Sequence, residues 1–194
     1  MAKARISRED IIKAAAEVVR KEGAEGLNAR RIAAELGCST QPVYSQFKNM
    51  RALSSALSVA ARAEYRRRID ENLRACPPES RYEAYGLAYV RFAREEKGLF
   101  RYLNSSRAQS APPLVEEPYL ADIIAEIKNL YGMDEARAFD FHGDMAIYSY
   151  GLASQLANGR AALSDGEIIR RLRVEFYALY AYYFPERPPL PRKE

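Results

Sequence analysis

The chain has 194 residues, 48% hydrophobic and 29% charged, a globular composition that excludes an intrinsically disordered chain. No apolar run approaches the roughly 18 residues of a membrane span, and MAKARISRED at the N-terminus lacks the apolar stretch of a secretion signal. The net charge of +4 sits entirely in the first quarter: residues 1–51 hold ten Lys/Arg against six Asp/Glu, whereas residues 52–194 hold twenty of each, so a basic module precedes a neutral body and points to an anionic partner.

The periodicity predicts helices throughout, with no strict alternation of the strand type. Ser7 followed by Asp10 has capping-box spacing, Ile6 and Ile11 stand where a hydrophobic staple would hold the entering chain, and Gly23 closes the first helix. A second short helix starts near Asn28, a favoured cap, buries Ile32, Ala33 and Leu36, and ends at Gly37. A third, very short helix follows in STQPVYSQF, capped by Ser39 or Thr40, with Pro42 in its first turn holding Gln41 outside the helical region. Longer helices are expected over 50–74, ending at CPPES, and over 79–96, with Tyr82, Tyr85, Tyr89 and Phe92 on one side. Gly98 reads as a break before LFRYLNSS, and SSRAQSAPP reads as a loop. Helical patterns resume over 115–131, 134–158 and 165–183, giving an all-α chain of about nine helices. The tail PERPPLPRKE cannot be helical and is expected to fray.

Residues 7–47 meet the needs of a helix–turn–helix: two short helices joined by a glycine turn and packed by another. Val43 and Phe47, four apart, face inward and leave Thr40, Gln41, Tyr44, Ser45 and Gln46 outward. Uncharged hydrogen-bonding side chains on a short helix suit the reading of base edges in a major groove. Tyr44, Lys48 and Arg30 are placed for phosphates, which position a protein without specifying sequence. A plain three-helix packing unit has the same geometry, and the local basic excess favours the DNA reading.

The run LNARRIAAELGCSTQPVYSQFKNMRAL resembles the DNA-binding domain of the TetR family of transcriptional regulators. It carries a short RRIAAELG-type helix, a turn, a recognition helix ending in Tyr-x-x-Phe, and an Asn-x-x-x-Leu entry into the fourth helix. The resemblance covers residues 7–53. It implies an N-terminal helix–turn–helix domain over 1–50, a regulatory ligand-binding and dimerisation domain over 51–184, and a Pro-rich tail over 185–194. It also implies a cytoplasmic homodimer that binds palindromic double-stranded operator DNA, joined through the last two helices, with repression as the usual mode. By motif position Ser39, Thr40, Gln41, Ser45 and Gln46 fall at or near base-reading positions, and Asn28, Arg30, Tyr44 and Lys48 at backbone or groove-edge positions. Met50 departs from the lysine many members carry there, which leaves Lys48 or Arg51 to supply that phosphate contact.

The resemblance further implies a small-molecule pocket in the body. Tyr85, Tyr89, Phe92, Tyr102, Tyr119, Phe141, Met145 and Tyr148 are the candidate liners for a partly apolar effector, and core packing is the alternative for each. His142, the single histidine, either bonds a ligand, senses pH or is a satisfied structural group. FYALYAYYF at 176–184 is too apolar for a lone surface helix, and a dimer face is favoured over a covered core. Cys38 and Cys76 lack zinc-type spacing and read as free thiols in a reducing compartment. No phosphate loop, metal cluster or nucleophile elbow is legible, so a cofactor-free binding protein is expected over an all-helical enzyme or an adaptor.

Overall fold

The computed structural model describes residues 6–105 and 119–190. Among the described residues there are nine α-helices and no strand. In chain order they are α1 (Arg8–Glu22), α2 (Ala29–Glu35), α3 (Gln41–Gln46), α4 (Met50–Ala75), α5 (Arg81–Glu95), α6 (Lys97–Leu103), α7 (Leu120–Tyr131), α8 (Glu135–Ala157) and α9 (Asp165–Tyr183). Beyond Ser105 the loop expected in SSRAQSAPP, like the start of the helix expected from 115, lies outside the described residues. No helix among them is long and apolar enough to cross a membrane.

The chain forms two compact units, residues 1–66 with 95–114 and residues 67–94 with 115–194. The first holds α1–α3, α4 as far as Arg66, and α6. Its core is Ile11, Ala15, Val19, Ile32, Val43, Phe47, Leu53, Leu57 and Leu99, all essentially inaccessible. Gly98 does not break the chain. The helix ends before Glu96, and Gly98 sits in the first turn of α6. A Cβ there would lie 2.4 Å from the Val19 carbonyl oxygen and 2.7 Å from the Arg20 Cα, so only glycine lets α6 come this close to α1. Arg20 secures the same contact through Glu96, at 2.8 and 3.3 Å. Tyr102, grouped by sequence with the effector liners, belongs to this first unit. Its hydroxyl donates to the Ser54 carbonyl at 2.8 Å and lies 2.6 Å from Ser54 Oγ and 3.2 Å from Ser58 Oγ.

In the second unit α5 is the enclosed helix. Tyr82, Tyr85, Tyr89 and Phe92 are buried as their spacing predicts, and so are Leu87, Ala88, Val90 and Ala93 on the remaining sides. α9 starts from a capping box made by Ser164 and Glu167 and is tied to α5 by Arg173 on Glu83, at 2.6 and 3.1 Å. Of the aromatic run 176–184, Phe176, Tyr180 and Phe184 turn inward: Phe176 lies 5.2 Å from Tyr131 and 5.4 Å from Phe141, ring to ring. For these residues the covered-core alternative holds, because α7 and α8 present rings to meet them. The described part of the tail is non-helical but held, since Arg187 lies 4.0 Å over the Phe184 ring and donates to the Tyr131 carbonyl. An arginine that stacks and hydrogen-bonds at once outweighs the fraying expected from composition.

Candidate nucleic-acid interface

The reading helix is held by local chemistry on both sides. Ser7 and Asp10 complete the capping box at the start of α1. The two Ser7 hydrogen bonds hold the Asp10 carboxyl below its usual range, with a smaller contribution from Lys13. Asn28 Oδ1 accepts from the amides of Arg30 and Arg31 at 3.1 Å, and its Nδ2 donates to the Gly26 carbonyl. The Asn28 carboxamide is therefore engaged in starting α2. Gly37, at φ 62°, ends α2 in a Schellman motif, with the Cys38 amide on the Ala33 carbonyl and the Gly37 amide on the Ala34 carbonyl. This turn fixes the direction in which α3 leaves.

α3 has six residues, with Gln41 as its first helical residue, not outside it as the following proline suggested. Neither Ser39 nor Thr40 caps it with a side chain. Thr40 is already in helical backbone geometry, and its carbonyl takes the Val43 and Tyr44 amides at 3.1 and 3.3 Å. Val43 and Phe47 are buried, 1% and 2% exposed, whereas Gln41, Tyr44 and Ser45 are exposed and Thr40 and Gln46 half-buried. The Ser45 hydroxyl donates to the Pro42 carbonyl at 2.8 Å, which leaves its oxygen able to accept. Asn49 caps α4 through the Ala52 amide at 2.9 Å, and Leu53, four residues on, is fully buried, which accounts for that spacing.

Charge sorts the cations of this region. Lys13 pairs with Glu9, Arg20 with Glu17 and Glu96, Lys21 with Glu35, and Arg31 with Glu22, at 2.5–3.2 Å. Arg30, Lys48 and Arg51 are exposed and have no carboxylate partner among the described residues. They come from the first turn of α2 and from either side of Met50, itself half-buried. Arg30, Lys48 and Arg51 are thus available to an outside anion. Sequence reasoning missed Arg8. Its guanidinium lies 4.2 Å over the Phe47 ring, and its Nη1 donates to the Gln46 carbonyl at 3.3 Å, across 38 residues of chain. No local spacing could have signalled that contact.

The candidate effector residues fall into separate groups within the second unit. Phe141 is fully buried among Tyr82, Phe176 and Tyr183, with ring separations of 5.4–6.2 Å. His142 Nδ1 is 3.3 Å from the Tyr82 hydroxyl, its Nε2 is buried without a hydrogen-bond partner, and burial pushes its pKa down to about 4. The sequence left Tyr82 and Phe176 out of this group. Tyr85 and Tyr119 pair at 5.6 Å, and Tyr119 donates to Asp70 Oδ1 at 2.6 Å. Burial, assisted by Glu126, raises the Tyr85 hydroxyl to about 12. Tyr89, Phe92 and Met145 are buried and Tyr148 is half-buried. No group of three or more potential metal ligands exists among the described residues.

Comparison with known proteins adds independent evidence. Residues 11–57 match the family model for bacterial regulatory proteins of the tetR family. Tetracycline repressor protein class D of Escherichia coli is 40% identical over 62 residues, 32% of this chain and 28% of that protein. The class H repressor of Photobacterium damsela subsp. piscicida gives the same figures, and the E. coli class C repressor is 43% identical over 56 residues, 29% of this chain and 26% of its own. The chain thus spans little more than a quarter of the length of the curated relatives it matches. Among solved structures, a TetR-like transcriptional regulator from Rhodococcus sp. RHA1 aligns with TM-score 0.62 at 16% identity, covering 95% of this chain and all of that one. A TetR family regulator from Vibrio parahaemolyticus gives 0.60 at 18%, covering 88% and 97%. A TetR variant from Acinetobacter baumannii AYE, solved in complex with minocycline, gives 0.59 at 20%, covering 92% and 97%. At these identities the structural likeness establishes the fold.

Proposed function

We propose that this chain, whose residues 11–57 match the tetR family model, is a transcriptional regulator, a binding protein and not an enzyme, which represses from a palindromic operator and is released by a small, partly apolar effector. The observation that carries this reading is the division of labour in the first unit. Val43 and Phe47 anchor α3 inward, uncharged donors and acceptors point outward, and Arg30 of α2 with Lys48 and Arg51 just after α3 stand without a carboxylate partner among the described residues. Thr40, Gln41, Ser45 and Gln46 read base edges in this scheme, with Ser39 at the head of the helix. Tyr44, Arg30 and Lys48 take phosphates, with Arg51 supplying the contact that Met50 lacks. Asn28 acts through its cap on α2.

A homodimer through α8 and α9 is supported by what those helices leave outside. Ile147 is 73% exposed, Val174 58% and Tyr182 77%, and Gly143 and Gly151 have open space where a Cβ would go. Ile147 stands between Gly143 and Gly151 at four-residue spacing on α8, an apolar side chain flanked by glycines that suits close packing against a second copy, and α9 adds exposed Val174 and Tyr182. The effector reading rests on the aromatic-rich second unit, where Tyr85, Tyr89, Phe92, Tyr119, Phe141, His142, Met145 and Tyr148 remain the residues of interest. Release follows if the effector binds with different affinity to the DNA-competent state and to a state in which the two α3 helices lose the ~34–36 Å spacing of successive major grooves. α4 is the helix that the chain shares between its two units.

The test is selection of duplexes from a random pool, followed by titration at several salt concentrations. A palindromic site bound with steep salt dependence is expected. Lys48→Ala should lower the slope of log affinity against log salt by about one. Gln41→Ala should relax preference at particular base pairs, with about 1–3 kcal/mol of discrimination lost there. Binding that never becomes sequence-selective or salt-sensitive would overturn the regulator reading.

A further inference from the structure

Arg8 is the first residue of α1, yet both of its contacts are to the far end of α3. The six-residue α3 is too short to hold its own direction by backbone bonds, and its buried anchors are Val43 and Phe47 alone. The Arg8 guanidinium covers the outer face of one anchor, 4.2 Å from the Phe47 ring, and its Nη1 donates to the carbonyl of Gln46, the last residue of the helix. That carbonyl is one of the group at a helix C-terminus with no intrahelical partner, where a cation is favoured. No carboxylate among the described residues competes for Arg8. Ser7, immediately before it, is locked by the capping box with Asp10, so the backbone carrying Arg8 is itself fixed.

We infer that Arg8 is a positioning residue for the recognition helix: it clamps the C-terminus of α3 to the start of α1 and so sets the angle at which Gln41, Tyr44 and Ser45 meet DNA. The proposal rests on the DNA-binding reading above. The clamp needs a flat guanidinium, which stacks on the ring and donates from its edge at once. A lysine keeps the charge but is a point donor and cannot satisfy both contacts.

The experiment compares wild type, Arg8→Ala and Arg8→Lys on a duplex selected by the wild-type protein and on a scrambled duplex of equal length, across a salt series. Arg8→Ala, which removes one cation–π contact and one charged hydrogen bond, should lose about tenfold affinity for the selected duplex, and Arg8→Lys, which can keep only one of the two, at least about threefold. Binding to the scrambled duplex should stay within about twofold and the salt slope unchanged, since no phosphate contact is removed. Three outcomes overturn the inference: full affinity in Arg8→Ala, recovery of affinity in Arg8→Lys, or a slope lowered by about one, the mark of a direct phosphate contact. A second measurement stands apart from DNA. In NMR spectra of the free protein, Arg8→Ala should shift the amides of Gln46 to Asn49 and the Phe47 ring signals while those of α2 stay in place. Unmoved α3 signals overturn the clamp. If the wild-type protein selects no duplex, the regulator reading fails, and the NMR comparison still decides whether Arg8 orients α3.

Discussion

Single side chains in this protein show how burial redirects chemistry that a sequence leaves open. His142 illustrates it: burial holds its pKa down to about 4, with the Tyr82 hydroxyl 3.3 Å from Nδ1. The unfolded chain takes up this proton near pH 6.5 and the folded chain only near 4. Between those values the unfolded state binds more protons, so stability rises with pH and is lost as pH falls through the window. Urea unfolding at pH 7, 6, 5 and 4.5 should show wild type losing more stability below pH 6.5 than His142→Gln does. Parallel curves for the two proteins would place the imidazole in water and contradict the burial. The histidine was legible as a singular residue, but its neutral state was not, because its burial needs Tyr82 of α5 packed against it and does not follow from FDFHGD alone.

At the scale of helices, caps and turns were written locally, whereas close approaches were not. Ser7 with Asp10, Asn28 and Gly37 each act on backbone within a few residues, so spacing sufficed to place these helix starts and stops, and the structure adds Ser164 with Glu167 as a cap of the same local kind. Gly98 is the counter-example. It looks like any helix-breaking glycine, and its reason is backbone some 80 residues earlier in the chain. Replacing Gly98 with alanine pushes a Cβ against the Val19 carbonyl and the Arg20 Cα, and backbone cannot swing aside as a side chain can. A loss of about 1–3 kcal/mol or more is expected in chemical denaturation. Gly86→Ala in α5 is the control. Its Cβ would meet Leu172 Cδ1 at an ordinary 3.5 Å, so the gain in helix propensity, about 0.5–1 kcal/mol, should dominate. Equal effects at the two positions would rule out the close approach of α6 to α1.

For the molecule as a whole, the open matter is assembly. Ile147 is exposed in the single chain, so Ile147→Asp removes no buried contact and should leave helical content and thermal unfolding of the protomer nearly intact. Light scattering on size-exclusion chromatography should give twice the chain mass for wild type and a single chain mass for Ile147→Asp. A variant that stays dimeric would move the interface away from α8. Part of this was legible beforehand: the late aromatic run was seen to need a cover. Phe176, Tyr180 and Phe184 find theirs within the chain, and it is Val174 and Tyr182 that remain outside.

The sequence by itself determined the all-helical class, the limits of most helices, the glycine turn at Gly37 and the outward set on α3, because each depends on periodicity or on backbone bonds spanning a few residues. Tertiary structure alone decided the pairing of Arg20 with Glu96, why Gly98 is glycine, where Tyr102 belongs, and what holds α3 in place. Those depend on partners far apart in the chain, as in Arg8 with Gln46, Arg20 with Glu96 and Gly98 with Val19. The reason is physical. Hydrogen-bond spacing within a helix is fixed by backbone geometry and repeats along the chain. Side-chain pairing across helices is fixed by packing, and no local repeat encodes it.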